Sequence, residues 1–242
     1  MSFGVIGYGS FGKLLADILG EFGEVAVYSR RDIKKPVGTG FNIVNLKEAA
    51  SKDVVILAVG LEDLDDTSRK LAGMVSPETI VVDVSSVKLK PTEILQKNLG
   101  GKCKILATHP LFGPQTVDKH SLAGRSIVVC SYDAPDKPEV MDFLKNKLEL
   151  KVIEMSAEDH DREMAWVHGL TFFVGRGLLK LNPPRSELST GYYQKLLDLV
   201  ELENKHSIEL FNTVQKGNPF AGKIRRELLD QLESIDAQIK GG

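Results

Sequence analysis

The chain has 242 residues and a formal net charge of −2, enough for one large domain or two modest ones. Hydrophobic residues make up 42% and charged residues 26%, an ordinary balance for a globular protein. The near-neutral charge gives no electrostatic case for nucleic acid or an anionic membrane as a partner, and no apolar run approaches membrane-spanning length. Cys103 and Cys130 lie in or beside apolar runs without metal-ligand spacing. They read as small core residues in a reducing compartment, although two cysteines leave a disulfide open. With a strand starting almost at Met1, no leader is expected and the expected location is cytoplasmic.

Phe3 to Ile6 is a short apolar run that reads as a buried strand. Gly7, Gly9 and Gly12 follow in G-x-G-x-x-G spacing, and from Phe11 the pattern turns helical, with Leu14, Leu15, Ile18, Leu19 and Phe22 on one face. A second strand covers Val25 to Tyr28. Strand, glycine turn, helix, strand is the context in which the spacing means dinucleotide binding. Gly7 permits the tight turn, Gly9 lets a pyrophosphate lie against the backbone, and Gly12 lets helix and strand pack closely. Ser10 and Phe11 begin the helix whose N–H groups face the phosphates. The competing reading is a glycine turn in some other α/β domain.

The end of the second strand discriminates between nicotinamide cofactors. An NAD site places an acid there for the ribose hydroxyls; this chain runs into Ser29-Arg30-Arg31, with Asp32 as the nearby acid. A hydroxyl and two guanidinium groups suit the 2′-phosphate of NADP. Ser29 and Arg30 are the favoured contacts and Arg31 the second; the bland alternative is solvated loop charge.

Further along, Lys35 to Gly40 reads as a loop and Leu46 to Ser51 as a short helix. Strands are expected at Val54–Val59, Thr79–Val84, Lys104–Thr108, Ser126–Cys130 and Lys151–Met155, and helices at about 64–74, 90–98 and 135–148. Alternating strands and helices predict an α/β fold, a doubly wound parallel sheet of Rossmann type over residues 1–155. From Ser156, whose spacing to Asp159 fits a capping box, no strand is apparent. A long helix with Met164, Val167, Thr171, Val174, Leu178 and Leu181 on one seam ends at Asn182-Pro-Pro184. Two more follow, at about 190–215 and over Ile224 to Ile239. Residues 156–242 thus read as an all-helical domain, small for a free-standing core, and a homodimer through these helices is expected.

Three strand ends deliver chemistry to the ligand edge of such a sheet. Val59-Gly60 leaves room for a nicotinamide ring against backbone. Asp83-Val-Ser-Ser-Val-Lys88 brings Ser86, able to bond an imidazole or the cofactor carboxamide; Ser85 and Ser86 read otherwise as helix caps, and Lys88 as a solvated charge. Thr108-His-Pro-Leu-Phe-Gly-Pro114 brings His109, the candidate acid/base, or else a structural histidine in a Pro-rich turn. His120 and His160 read as solvated, and His168 faces either cleft or core. No metal site is expected.

These motifs together, with Glu154-Met-Ser-x-Glu-x-His-Asp161, resemble the prephenate/arogenate dehydrogenase family, in particular the NADP-dependent arogenate dehydrogenases of plant type. Ser29-Arg30, Val174-Gly-Arg176, Gly191-Tyr192 and Leu196–Glu201 are similar to segments of that group. The resemblance implies oxidative decarboxylation of a cyclohexadienol in tyrosine biosynthesis, with hydride passing to NADP, His109 taking the ring hydroxyl proton, and Ser86 orienting His109 and touching the cofactor. It also implies a helical dimerisation domain and substrate contacts at His168, Phe172, Arg176 and Gln194. Two departures stand out. Phe172 occupies a position where many members have histidine, and Gln194 lies near a family arginine that grips a carboxylate, a loss that Arg176 is positioned to offset. Arogenate is less affected than prephenate. The alternatives are a related NADP oxidoreductase acting on a different small acid or imine, and a non-catalytic NADP-binding dimer.

Overall fold

The computed structural model describes residues 1–33, 39–130 and 138–241. The chain divides into two compact units, Met1–His160 and Asp161–Gly242.

In the first unit the strands are β1 (Phe3–Ile6), β2 (Val25–Tyr28), β3 (Phe41–Ile43), β4 (Val54–Leu57), β5 (Ile80–Asp83), β6 (Lys104–Pro110), β7 (Ser126–Cys130) and β8 (Lys151–Glu154). They form one sheet in the order β3-β2-β1-β4-β5-β6-β7-β8. The first six run parallel in the 3-2-1-4-5-6 order of the dinucleotide-binding fold. The buried strands are apolar on both faces because both are covered. Val54 and Ile56 of β4 face a core shared with Leu14, Ile18 and Leu19 of helix α1 (Ser10–Leu19). Val55 and Leu57 face the opposite core. That side is covered by α2 (Leu46–Ala50), α3 (Leu61–Leu71) and α4 (Leu89–Leu99).

Two features depart from the expected all-parallel sheet. β7 pairs antiparallel with β6, His109 opposite Val128. A parallel neighbour needs a crossover, usually helical, and residues 111–125 form turns without a helix, so the chain comes back along the same edge. β3 was not expected at all. Its three residues are too few for a periodic signal, yet Phe41 is buried and pairs with Val25. The expected loop at 35–40 lies mostly outside the described residues, as does the start of the expected helix at 135–148; its described part is α5 (Pro138–Asp142) and a π-helical turn at Phe143–Lys147.

Helix α6 (Ala157–Met164) opens with the serine half of the expected capping box, and the Asp159 carboxylate bonds the Ser156 hydroxyl. The Asp159 N–H donates to Ser156 Oγ at 3.0 Å, and the Ser156 hydroxyl donates to Asp159 Oδ2 at 2.6 Å. In the second unit a π-helical turn at Ala165–Leu170 separates α6 from α7 (Thr171–Leu181). The described chain continues through α8 (Gly191–Asn204), α9 (Ile208–Asn212), a π-helical turn at Thr213–Gly217 and α10 (Ala221–Gly241). A π turn inserts a residue and rotates everything beyond it about the helix axis, so a single seam drawn through 164–181 fails. Met164 is buried, but Val167 is 57% and Leu181 73% exposed. The expected helix at 190–215 is likewise broken, at Lys205–Ser207. Among the described residues no helix is long and apolar enough to cross a membrane.

The glycine turn sets the entry to α1. Gly7 has φ +107°, and a Cβ there would stand 2.2 Å from the Ala58 carbonyl oxygen. A Cβ on Gly12 would stand 2.1 Å from the Gly7 carbonyl oxygen, whereas one on Gly9 would meet nothing within 4 Å among the described residues. Helix propensity favours Ala over Gly by about 1 kcal/mol, but the oxygen facing Gly12 is backbone and cannot swing aside. Gly12→Ala is therefore expected to destabilise by about 1–3 kcal/mol in urea unfolding, and Gly9→Ala to change stability by under about 0.5 kcal/mol. Equal effects would show that these contacts are not what the spacing serves.

Candidate active site

The carboxyl ends of β1, β2 and β4 lie level, because Ile6 pairs with Tyr28 on one side and with Leu57 on the other. Gly9 is the N-cap of α1 in extended conformation, with no side-chain cap and no acid in the first turn. The first N–H groups of α1, at Ser10, Phe11 and Gly12, thus point beyond the sheet edge with the positive end of the helix dipole behind them. The open space over Gly9 is what a pyrophosphate needs, and the residues present fit a dinucleotide. Phe11 packs toward Phe112 with ring centroids 6.5 Å apart.

After β2, the Ser29 hydroxyl oxygen accepts the Arg31 N–H at 3.1 Å and turns the chain. Arg30 reaches Asp63 in the first turn of α3, Nη2 to Oδ2 at 2.5 Å. Arg31 is exposed. After β4, Val59 is half-buried and Gly60 is the N-cap of α3.

At the ends of β5 and β6 the sequence reading of Lys88 is overturned. Lys88 is fully buried, not solvated. Its ammonium donates to Asp83 Oδ2 and, at 2.5 Å, to the Thr108 carbonyl oxygen. Asp83 Oδ1 accepts the N–H and hydroxyl of Ser85 at 3.0 and 2.6 Å, and the Thr108 hydroxyl donates to the Asp83 carbonyl at 2.8 Å. Ser85 therefore serves this network and not α4, whose N-cap is Lys88. The half-buried Ser86 lies in the turn these bonds pin down.

His109 follows Thr108 inside β6 and is 3% exposed. Ala107 and His109 share a face of the strand. Ala107 belongs to a small core against which Ala157 of α6 packs. One helical turn beyond Ala157 comes His160, 1% exposed, with Nε2 2.9 Å from His109 Nδ1 and the rings edge to face at 5.1 Å. The expected solvated His160 is thus a buried partner of the candidate base. The charged run Glu158-Asp-His-Asp-Arg-Glu163 hid it, because four solvated or half-exposed charged residues masked the two inward positions, His160 and Asp161. His120 is exposed, as expected.

The remaining candidates belong to the second unit. Phe172 is buried between two imidazoles, stacked on His168 at 5.1 Å and tilted against His206 at 4.5 Å. Arg176 pairs with the buried Glu203, Nη2 to Oε1 at 2.7 Å, and its guanidinium lies over the Phe211 ring at 4.9 Å. His206 Nδ1 meets the other oxygen of Glu203 at 3.0 Å. Gln194 lies on an exposed face of α8 and donates to Asp198 at 2.9 Å. The structure brings His168, Phe172 and Arg176 into one cluster with Glu203 and His206, which the sequence reading did not single out. The positive charge expected of Arg176 is met by Glu203.

Both cysteines are free thiols; burial pushes the Cys103 thiol up to about 11, so it is not a nucleophile in waiting, and Cys130 is buried. Among the described residues no group of three or more His, Cys, Asp or Glu side chains has metal-binding geometry.

A Rossmann sheet with a glycine cradle and a buried histidine at its ligand edge defines the class, a dinucleotide-binding domain of the dehydrogenase type. The family model described as prephenate dehydrogenase, nucleotide-binding domain, matches residues 26–153, and the chain belongs to the prephenate/arogenate dehydrogenase family. A second model, described as TYRAAT1-like, C-terminal domain, matches residues 178–242. The chain is 34% identical over 245 residues to arogenate dehydrogenase 2, chloroplastic, of Arabidopsis thaliana, covering 96% of this chain and 66% of that one. It is 27% identical over 251 residues to a probable arogenate/prephenate dehydrogenase of Methanocaldococcus jannaschii, covering 97% and 55%. The chain thus spans a little over half to about two thirds of these relatives' length. Its fold matches the crystal structure of prephenate dehydrogenase from A. aeolicus in complex with hydroxyphenyl propionate and NAD+ at a TM-score of 0.74 and 18% identity, covering 100% and 92%.

Removing one partner of a buried ion pair leaves the other charge uncompensated and costs about 3–5 kcal/mol. Lys88→Met is expected to destabilise by that amount in chemical unfolding. A change below about 1 kcal/mol would mean that Asp83 finds another partner and that the pair does not hold the turn.

Proposed function

We propose that the protein is an NADP-dependent dehydrogenase that oxidatively decarboxylates arogenate in tyrosine biosynthesis. The observation that carries this reading is the buried His109–His160 pair at the edge where the glycine cradle would hold the cofactor. A purely binding module has no use for a buried, oriented base at that place.

A bound nicotinamide supplies the hydride acceptor. All other demands fall on the chain. To accept the ring hydroxyl proton at Nε2, His109 must carry hydrogen on Nδ1 and donate it to His160 Nε2; His160 therefore fixes the tautomer, as an orienting partner does in other base-assisted sites. As hydride leaves the carbinol carbon, that proton passes to His109. The bond to the ring carboxylate then breaks, carbon dioxide departs, and its electron pair closes the aromatic ring. The phenolic oxygen takes the proton back from His109, so the chain ends as it began. Ser86, in the turn tied down by Lys88, is assigned to the cofactor edge, and orientation of His109 passes to His160.

Charge supports arogenate over prephenate. The anion grip expected of Arg176 is offset by Glu203, and Gln194 is neutral and bonded to Asp198. A substrate side chain carrying an ammonium beside its carboxylate makes less demand for unpaired positive charge than a second bare carboxylate does. Among named relatives, an arogenate dehydrogenase from A. thaliana shares 34% identity.

NADPH formation from arogenate should be detectable at 340 nm. His109→Asn should lower turnover by about 10²–10⁴ with NADP affinity kept. His160→Ala should lower it by about 10² through loss of orientation, and His160→Gln, whose side-chain oxygen can still accept from Nδ1, should restore part of it. Unchanged turnover in His109→Asn would make the histidine structural and move the weight to an oxidoreductase acting on another small acid or imine.

We further propose that the second unit forms a homodimer. Leu232, Ile235 and Ile239 of α10 and Tyr192 and Leu196 of α8 are exposed, more apolar helix surface than a free 82-residue unit would leave in water. Sedimentation at micromolar concentration should give about twice the chain mass; a monomer there removes the proposal.

A further inference from the structure

We propose that Asp63 is a specificity-determining positioning residue: it holds the Arg30 guanidinium in place, in advance, for the 2′-phosphate of the cofactor. The inference rests on the NADP reading above and concerns how the same site achieves it.

Arg30 stands two residues past β2, and Asp63 six residues past β4, on either side of β1. The two strand ends are level across β1, so the ion pair spans the sheet edge where the adenosine end of a dinucleotide lies. The side chains are 59% and 31% exposed. An exposed pair of this kind adds little to folding stability, so its value lies in where it places the guanidinium. Among the described residues only Nη2 is engaged. The remaining N–H groups of the fork are left for a phosphate, which they match in a bidentate way.

Asp63 is itself well placed to remain where it is. It sits in the first turn of α3, where the helix dipole favours a carboxylate without help from Arg30. A second carboxylate bears independently on the geometry. Asp66, one turn further on, has its carboxyl held below the usual range chiefly by its hydrogen bond to Lys70, with the Arg30 charge adding to the effect. Arg30 therefore lies over the first two turns of α3. Asp66 is occupied by Lys70 at 2.6 Å, which among the described residues leaves Asp63 to aim the guanidinium. A flexible arginine loses several rotatable bonds on binding; one already held loses less. The benefit goes to a ligand with a 2′-phosphate and not to one with a bare 2′-hydroxyl.

The test is isothermal titration of the full chain with two adenosine fragments, 2′,5′-ADP and 5′-AMP, so that binding is read without turnover. Asp63→Ala should weaken 2′,5′-ADP roughly three- to tenfold, leave 5′-AMP within about twofold, and have no further effect in an Arg30→Ala background. Asp63→Asn, which keeps a hydrogen-bond acceptor, should fall between. Tighter binding of 2′,5′-ADP by Asp63→Ala would show that Asp63 competes with the phosphate and would overturn the inference. So would an unchanged affinity, or a loss that persists without Arg30. If Arg30→Ala itself leaves 2′,5′-ADP binding unchanged, the ribose site is not at the end of β2, and the NADP reading fails together with the inference. The circular dichroism of each variant checks that the fold is kept.

Discussion

Everything at the ligand edge depends on one close approach, the Gly12 backbone against the Gly7 carbonyl oxygen. With a Cβ excluded at 2.1 Å, α1 can start directly over the end of β1, and its free N–H groups are delivered beyond the sheet. If the helix stood off by the width of a methyl group, the dipole and the orphan donors would point past the phosphates. Gly7 serves the same constraint from the other side, since its φ of +107° is one that side-chain-bearing residues rarely adopt. Gly9 differs in kind. Among the described residues nothing crowds it, so packing alone does not call for a missing side chain there.

The second organising fact is that this edge buries polar groups in pairs. Isolated, the Lys88 ammonium or the Asp83 carboxylate would be costly in the interior. Together, with Ser85 and the Thr108 carbonyl completing their hydrogen bonds, they fasten the turn after β5 to β6 just before His109. Such a pair is weak evidence for stability in itself; what it supplies is a fixed position for neighbouring groups. The imidazole pair follows the same logic one residue later. His160 Nε2 stands 2.9 Å from His109 Nδ1, and His160 is brought there because Ala157, a turn earlier on α6, packs into the small core beside Ala107.

Whatever is periodic or local was legible in the sequence. The apolar runs predicted the parallel strands, since a strand covered on both faces has no polar alternation to hide it. The glycine spacing could be assigned position by position because each role is a backbone property. The antiparallel β7 was not legible, because its direction depends on whether residues 111–125 cross the sheet, and they carry no period. Three-residue β3 was too short to register, and the π turns rotated α7 away from the seam drawn through it, exposing Val167 and Leu181. Misreadings of side chains share one cause. Lys88 and His160 are charged or titratable residues beside polar ones, and composition reads such residues as solvated; Glu203, which no motif singled out, is hidden in the same way. Their burial is created by partners 5, 51 and 27 residues away (Asp83, His109 and Arg176), and no local pattern carries that information.

The two arginines assigned to ligands make the same point from the energetic side. Arg30 and Arg176 both pair with an acid, so pairing alone does not say which one serves a ligand. Exposure separates them. Glu203 is 1% exposed and is shared between Arg176 and His206; withdrawing the guanidinium would strand a carboxylate in the interior at a cost of several kcal/mol, more than a single anionic contact returns. Arg176 is therefore held as part of the Phe172 cluster, and an incoming carboxylate meets a charge already neutralised. Asp63, in contrast, is partly exposed at a helix start, where water screens its charge, so it can hold the Arg30 guanidinium in place without cancelling its attraction for a phosphate. The proposed preference for a 2′-phosphate and the proposed lack of a second anion grip thus rest on the same distinction: a solvent-screened acid positions an arginine for a ligand, whereas a buried acid claims its charge.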